Sequence, residues 1–303
     1  MNVKAVIFLS FSLFIGFVLA ADLPAAESSN SQQLEAKLMA DRVIVTIDGS
    51  LFTEYRFRDE QKYPYFYPVN GPRSGKSVTT ETSEPYPHHH SLFFGCDRVN
   101  GGNYWQDGVD RGRIISKKVR FIKPKGEKVI FDNECLWERP DAESPFRDVR
   151  RIDISAPSAD LRLIDFEIEL EALIDVTIEK NNHSLFSARM VPELSVQGGG
   201  TLINSEGDKS EAGTFGKPAR WCDYWGTRDG VTEGLAIFDD PENRWHPSRW
   251  FTRDYGFFSP TPMYWLENDR LVMKKGEKLR LRYQAAVHGG NTEEAGIAKI
   301  SQQ

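Results

Sequence analysis

The most regular alternation in this chain is the stretch LRLIDFEIELEA, residues 161–172. In it Phe166, Ile168 and Leu170 occupy every second position, and glutamates stand between and after them. A period of two with one charged face is typical of an antiparallel strand that packs on a core with one side and meets solvent with the other. We interpret the glutamates as the solvated side, because runs of charge usually face water, and assign them no chemistry.

Other segments repeat this pattern before and after that strand. Arg42–Phe57 is predicted to be a hairpin that turns at Asp48-Gly49, a pair that favours the tight turn between two strands. Further predicted strands are Arg113–Ile122, Lys128–Glu138, Asp175–Lys180, Thr201–Asn204, Leu235–Phe238 and Leu279–Val287. Only Asn291–Ile300 has a helical pattern, with Asn291 as its N-cap. Roughly a dozen strands and almost no helix predict an all-β fold, a large antiparallel β-sandwich with a short C-terminal helix.

One aromatic segment interrupts this series of strands. Lys62–Asn70 contains two prolines among four aromatic residues and ends in the strong break Asn70-Gly71-Pro72. Because proline cannot donate a ladder hydrogen bond, we expect this segment at a sheet edge or in a loop over a pocket.

The N-terminus predicts export. Residues 1–20 combine a basic start, a short apolar run and a small residue at the end, as a secretory signal peptide does, with a membrane anchor as the alternative. Residues 21–34 are predicted to be a polar linker, and residues 35–303 a single β-sandwich domain. After removal of the signal we expect no membrane insertion and a periplasmic or secreted protein.

Charge and cysteine content limit the partners. The formal net charge is −6 and no basic block is present, so nucleic acid and anionic membrane surfaces are poor partners. Cys96, Cys135 and Cys222 form an odd set without C-x-x-C spacing, which indicates neither a zinc knuckle nor a disulfide framework. One disulfide bond is compatible with the three residues, and the pair is not predicted. The oligomeric state is not predicted either.

Histidine is concentrated at one place. Tyr86–Gly95 holds His88, His89 and His90, three of the six histidines in the chain. Such a cluster suits proton transfer or metal binding, since the imidazole pKa lies near neutrality. If the segment is extended, the first and third rings share one face and His89 takes the other. We predict His88 or His89 as catalytic. The alternative is a divalent metal bound by His88, His90 and a carboxylate.

Polar and aromatic residues elsewhere fit a sugar-binding wall, because amides pair with hydroxyls and indole faces stack on sugar rings. For the segment Phe93–Trp105, the alternative is an ordinary Asn/Gly turn followed by a tryptophan buried in the core. The predicted substrate-binding residues are Asn100, Trp105, Arg189, Glu211, Trp221, Asp223, Tyr224, Arg253 and Tyr255. Carboxylates at Glu193 and Glu206 are predicted to serve as acid–base partners of the histidines. His246 precedes a proline among aromatic and arginine neighbours, which makes it a further catalytic candidate.

Taken together, these clusters resemble the bacterial family labelled methane oxygenase PmoA-like, a domain of otherwise undefined function. The motifs that carry the resemblance are Tyr67–Pro72, Tyr86–His89, Val99–Gly101, Asn204–Gly207, Ala219–Tyr224, His246-Pro247, Arg253–Gly256 and Lys275–Leu279. They span nearly all of the mature chain. The resemblance implies a soluble β-sandwich, in the style of galactose-mutarotase-like supersandwiches or jelly rolls, and an association with carbohydrate metabolism. It does not imply methane oxidation, since no segment after the signal is long and apolar enough to be a transmembrane helix.

We therefore expect an exported carbohydrate-active enzyme with its pocket on a concave sheet, walled by Trp105, Trp221 and Tyr255. His89 or His246 would transfer a proton, and a glutamate would complement it. A histidine and a glutamate that transfer protons are compatible with hydrolysis, β-elimination and epimerisation. The alternative is a non-catalytic glycan-binding protein of the periplasm or cell surface. The expected partner is a carbohydrate or another small molecule, and no cofactor is expected unless a divalent metal binds.

Overall fold

The computed structural model describes residue 1, residues 32–106 and residues 108–300. The strands are β1 Leu34–Leu38, β2 Arg42–Ile47, β3 Ser50–Arg56, β4 Tyr65–Val69, β5 Leu92–Cys96, β6 Arg113–Lys123, β7 Lys125–Gly126, β8 Lys128–Glu138, β9 Phe146–Ser158, β10 Leu161–Ala172, β11 Val176–Glu179, β12 Ser184–Arg189, β13 Thr201–Asn204, β14 Trp221–Arg228, β15 Val231–Asp239, β16 Trp250–Arg253, β17 Phe257–Pro260, β18 Arg270–Met273 and β19 Lys278–Gly289. The helices are α1 Ser210–Thr214 and α2 Ile297–Ile300, with 3-10 turns at Val109–Arg111, Pro192–Leu194 and Pro262–Tyr264.

Two large antiparallel sheets organise these strands. The first has nine strands in the order β16-β17-β12-β5-β4-β3-β2-β1-β7, and the second has eight in the order β13-β14-β15-β19-β10-β9-β8-β6. A small third sheet pairs β11 with β18. Phe166 of β10 stacks on Phe186 of β12 with ring centroids 4.9 Å apart, so the two large sheets share one core. The predicted all-β antiparallel sandwich is confirmed.

Strand β10 has the bounds and the two faces that its alternation predicted. It lies inside the eight-stranded sheet between β9 and β19. Its glutamates are matched by basic residues on these neighbours: Arg280 donates to Glu167 at 2.6 Å, and Lys278 donates to Glu169 at 2.6 Å. Ion pairs of this partly exposed kind stabilise by a few tenths to about 1 kcal/mol each. The burial of the alternate apolar residues is the larger contribution.

A buried polar network lies between the sheets. Asp148 and Arg150, both completely buried on β9, form an ion pair with 2.9 Å between Oδ1 and Nε. Trp137 donates its indole N–H to Asp148 at 2.7 Å. Tyr55 of the other sheet donates its hydroxyl to Asn133 at 3.0 Å. The pairing of Asp148 with Arg150 offsets the cost of burying both charges. Of these bonds, that of Tyr55 with Asn133 joins the two sheets and helps to fix how they meet.

The aromatic segment differs from its prediction. Strand β4 lies between β3 and β5 in the interior of the nine-stranded sheet, so the expected edge or loop position is wrong. The register with β3 shifts between Thr53 and Tyr55, which places an irregularity opposite Pro68, and β4 pairs with β5 only through Tyr65 and Phe66. The proline therefore occupies a position where no ladder donor is needed.

The C-terminal helix is shorter than predicted, although its cap forms. Asn291 Oδ1 accepts the backbone N–H groups of Glu293 and Glu294 at 3.0 Å, and the Asn291 N–H donates to the Glu294 carboxylate at 3.1 Å. Turns follow, and helix begins only at Ile297. Ile297 packs on the outer face of the eight-stranded sheet beside Phe238, so the C-terminus covers part of that face.

The three cysteines are free and buried, and no disulfide bond joins them. Burial raises the pKa of all three thiols well above the ordinary value, which keeps them protonated and unreactive. The predicted signal peptide and most of the predicted linker lie outside the described residues. From residue 32 onward the described residues form one compact unit. Within the described chain, no helix has the length and apolarity to cross a membrane.

Candidate functional site

The histidine segment is folded into turns, so the predicted alternation of its rings is wrong. The backbone N–H of His89 donates to Tyr86 at 3.2 Å, and that of Ser91 donates to His89 at 3.2 Å. Ser91 has a φ of 59°. Each ring therefore leaves the turn in its own direction.

His89 is the buried member, with 4% of its surface exposed. Its ring lies 4.3 Å from that of Phe257 on β17 and 4.6 Å from that of His88. Phe257 pairs with Arg189 in the register of β17 and β12, whereas the next residue, Phe258, packs into the core on Tyr224. Because neighbouring side chains in a strand point to opposite faces, His89 lies against the outer face of the nine-stranded sheet.

Arg189 lies beside His89 and is only 2% exposed. Its guanidinium stands 4.3 Å from the ring centroid of Tyr255, and its Nη2 donates to the Glu84 carbonyl at 3.2 Å. Among the described residues no carboxylate forms an ion pair with it. Burial lowers the pKa of Arg189, yet an arginine stays protonated in a protein.

We call His88, His89, His183, Arg189, Trp105 and Tyr255 the histidine–arginine cluster. Four of its buried polar atoms have no hydrogen-bond partner: His89 Nδ1, Arg189 Nε, Arg189 Nη1 and Trp105 Nε1. Most buried polar groups in proteins are paired, so four unpaired atoms in one place need an explanation. Three of the four are obligatory donors. An oxygen-rich acceptor bound here would satisfy these donors.

The groups that act most strongly on His89 are all basic. Burial, followed by the fields of His88, Arg189 and the other histidines, lowers the pKa of His89 to about 2. The imidazole is therefore neutral at ordinary pH, in an electropositive setting. A bound anion would offset the positive neighbours and raise this pKa towards the range where proton transfer is efficient.

His183 was not among the predicted site residues. Its Nδ1 lies 3.7 Å from the carboxylate of Asp97, and its ring stacks on Trp105 at 5.8 Å and approaches His88 at 6.1 Å. A single histidine in an Asn-Asn-His-Ser turn carries no signal in sequence. Asp97 does follow the histidine segment in the chain, and that proximity was the one available hint.

Residues from later segments lie near Tyr255 and Arg189. Arg253 pairs with Glu211 at 3.0 Å, and the hydroxyl of Tyr224 donates to the carbonyl of Arg253 at 2.6 Å. Burial raises the pKa of Tyr255 to about 12, so its hydroxyl remains a proton donor. The structure thus brings together eight of the predicted site residues: His88, His89, Trp105, Arg189, Glu211, Tyr224, Arg253 and Tyr255.

Other predicted residues lie elsewhere. Asn100 uses both ends of its amide to hold the backbone of Asp175 and Thr177. Trp221 belongs to the small apolar cluster under α2, and Asp223 is buried against His288 and Thr292. Glu193 and Glu206 are exposed, and within the described chain neither forms a hydrogen bond or ion pair with a histidine. Trp105 is completely buried, so it forms a floor and offers no open face for a sugar.

His246 lines a separate cavity of about 510 Å³ on the eight-stranded sheet, together with Asp165 and Asp239. Its Nδ1 lies 3.3 Å from Asp239, a carboxylate that also accepts the Ser248 N–H and the Asn243 amide at 2.8 Å. Burial raises the pKa of Asp165 and Asp239. No histidine other than His246 lines this cavity. His89 and His246, the two predicted alternatives for proton transfer, therefore do not share this cavity.

His90 is also set apart. Its Nδ1 lies 2.7 Å from the Glu81 carbonyl, and its ring stacks on Tyr65 at 5.1 Å. No group of three or more histidine, cysteine, aspartate or glutamate side chains in the described chain is placed to hold a metal ion. The arrangement therefore gives no support to a metal site built on His88 and His90.

The fold and the cluster define an antiparallel β-sandwich with a buried, positively charged site on one outer face. Residues 42–302 match the model of a family of unknown function, DUF6807, and the chain belongs to this family. The predicted membership of the methane oxygenase PmoA-like family is wrong, because the matching model is a different one. No curated protein sequence matches the chain.

Several solved structures are similar to this chain. A putative aldose 1-epimerase from Escherichia coli K12 is 11% identical, over 85% of this chain and 98% of that chain, with a TM-score of 0.33. The galactose 1-epimerase from Lactobacillus acidophilus NCFM is 9% identical, over 86% and 98%, with a TM-score of 0.41. An aldose epimerase homologue from C. elegans is 7% identical, over 86% and 99%, with a TM-score of 0.35.

Proposed function

We propose that the histidine–arginine cluster is the active site of an exported carbohydrate-active enzyme that moves a proton through His89. The observation that carries this proposal is that four buried polar atoms of the neighbouring residues His89, Arg189 and Trp105 lack a hydrogen-bond partner. A sugar or sugar derivative supplies many oxygen acceptors in a small volume, which is what these donors lack. Export rests on the N-terminal sequence alone.

The chemistry follows from which groups are neutral and which are charged. Neutral His89 is free to accept a proton from a carbon or oxygen of the substrate, and the guanidinium of Arg189 stabilises the negative charge that develops. Tyr255, kept protonated by burial, is a candidate donor for the return step. We favour epimerisation or β-elimination over hydrolysis, because most glycoside hydrolases use two facing carboxylates, whereas here Asp97 lies beside His183 and Glu211 is paired with Arg253.

The test is proton exchange in heavy water. Purified protein is incubated with a panel of neutral and acidic sugars and glycosides, and deuterium incorporation and new double bonds are followed by NMR. We expect His89→Gln to lower the rate by at least about 100-fold, the usual value of a general base. His246→Gln, in the other cavity, is the matched control and should keep its rate. Full activity in His89→Gln, or loss only in His246→Gln, would refute the proposal.

Non-catalytic glycan binding is the second candidate, and the low pKa of His89 favours it, because a ring that resists protonation is a weak base until a ligand changes its surroundings. In that case calorimetry would detect sugar binding with no exchange or turnover for any substrate in the panel. His89→Gln would then change affinity and nothing else.

A further inference from the structure

Arg189 is unusual among the buried charges of this protein. Arg150, equally buried, is neutralised by Asp148 at 2.9 Å. Arg189 is 2% exposed and has only a backbone carbonyl at 3.2 Å and the π face of Tyr255 at 4.3 Å. An isolated buried cation is costly, and it persists only where something else offsets it.

The surroundings do not provide that offset. His88 and His183 supply no negative charge, and the fields of both disfavour protonation of His89. Arg253, the other nearby cation, is already paired with Glu211 at 3.0 Å. Within the described residues the cluster therefore holds one uncompensated positive charge, on Arg189.

The segment 82–88 lies against Arg189 and its neighbours. Tyr86 is 40% exposed, and its ring lies 5.1 Å from that of Tyr255 and 5.3 Å from that of His89. The Glu84 carbonyl holds Arg189 Nη2 from the same segment. Its neighbours Pro85 and Pro87 are exposed. A ligand that supplies a better acceptor than one carbonyl would replace this contact.

We infer that Arg189 binds the carboxylate of a sugar acid, in exchange for the Glu84 carbonyl. A carboxylate matches the site in charge, because one monoanion balances one guanidinium, and in shape, because both groups are planar. A phosphate is the poorer match, since it carries nearly two charges and the cluster offers it no lysine. The sugar part of this inference rests on the proposed function. The anion part rests on Arg189 alone.

Calorimetry with matched sugars tests the inference. D-glucuronate and D-galacturonate are compared with D-glucose, D-galactose and glucose 6-phosphate. We expect each uronate to bind at least about tenfold more tightly than its neutral parent, and Arg189→Met to reduce that preference to about twofold or less. Arg162→Met is the matched control, because Arg162 is also partly buried, donates to a backbone carbonyl at 2.6 Å and lies over an aromatic ring. Equal binding of uronates and parent sugars, a preference that survives Arg189→Met, or tighter binding of the phosphate would overturn the inference.

A second measurement separates this inference from the proposed function. Sodium acetate is titrated into ¹⁵N-labelled protein while the Arg189 Nε–H resonance is followed, with sodium chloride as the control. A saturable shift with acetate alone supports the anion site even if no sugar is turned over, and its absence refutes the site even if sugars react. Should Arg189→Met fail to fold, Arg189→Lys keeps the charge without the planar fork, and it should lose about threefold to tenfold of the uronate preference.

Discussion

The buried ion pair of Asp148 and Arg150 on β9 allows a quantitative test of what a buried, paired charge contributes to stability. Asp148→Ala removes an acceptor that receives Arg150 Nε at 2.9 Å, Arg150 Nη2 at 3.2 Å and Trp137 Nε1 at 2.7 Å. It leaves a completely buried guanidinium without a counter-charge. Breaking such a pair costs about 3–5 kcal/mol, and the unpaired indole donor belongs to the same loss. We expect the free energy of unfolding to fall by about 4 kcal/mol.

The matched variants distinguish charge from packing. In the double variant Asp148→Leu with Arg150→Met, no charge remains buried and most of the volume is kept, while the Trp137 indole N–H stays unpaired. Stability should therefore return to within about 2 kcal/mol of the wild type. Arg147→Ala, on the same strand, breaks an exposed pair with Glu171 and should cost less than about 1 kcal/mol.

Urea unfolding followed by tryptophan fluorescence and far-UV circular dichroism measures all four proteins. Two results would refute the reasoning. One is a loss below about 1 kcal/mol in Asp148→Ala, which would mean that the pair is not desolvated as the structure shows. The other is a double variant that is as unstable as Asp148→Ala. That result would mean that lost packing, and not the unpaired charge of Arg150, causes the loss of stability.

Three further predictions concern other parts of the molecule. The pKa of His89 is lowered to about 2 from an ordinary 6.5, so the unfolded state binds the proton more readily and the free energy of unfolding falls as the pH drops below about 6.5. NMR should show a neutral His89 ring from pH 8 to about 4, and His89→Gln should lose less stability in acid than the wild type. Asp223→Ala removes the buried side chain that Thr292 and His288 contact through hydrogen bonds. This should lower the free energy of unfolding by about 2–3 kcal/mol and speed amide hydrogen exchange in residues 290–300, and unchanged exchange would contradict the prediction. Gly71→Ala places a methyl group against the carboxylate of Glu233, which should lower the melting temperature by several degrees, and an unaltered melting curve would show that this loop yields freely.

The fold was predictable where local chemistry and tertiary structure agree. Strand β10 has its predicted ends because the alternation continues until the turn, and the hairpin turns at Asp48-Gly49 with φ values of 48° and 80°, which these residues tolerate. Strand β4 was misplaced because the proline rule applies to ladder positions, and the register shift that takes Pro68 out of the ladder depends on β3. The sequence of β4 alone does not show that it pairs with β3 in this shifted register.

The candidate site was predictable in part. His89, Arg189 and Tyr255 were predicted as site residues because their side chains carry polar groups that an apolar core does not need. Their catalytic roles stay predictions. Sequence did not show that Glu193 and Glu206 lie on exposed turns, because carboxylate density along a chain does not specify direction in space. The alternation of the histidine rings was predicted only for an extended segment, and the turns at Tyr86 and His89 make the segment non-extended.

The three free, buried thiols allow local unfolding of this protein to be measured by thiol labelling. Cys96 lies in β5 of the nine-stranded sheet, while Cys135 in β8 and Cys222 in β14 lie towards opposite ends of the eight-stranded sheet. A thiol reagent can reach each sulfur only after the strands around it separate. In variants that keep one cysteine at a time, labelling rates would therefore compare the local stability of three regions without any added probe.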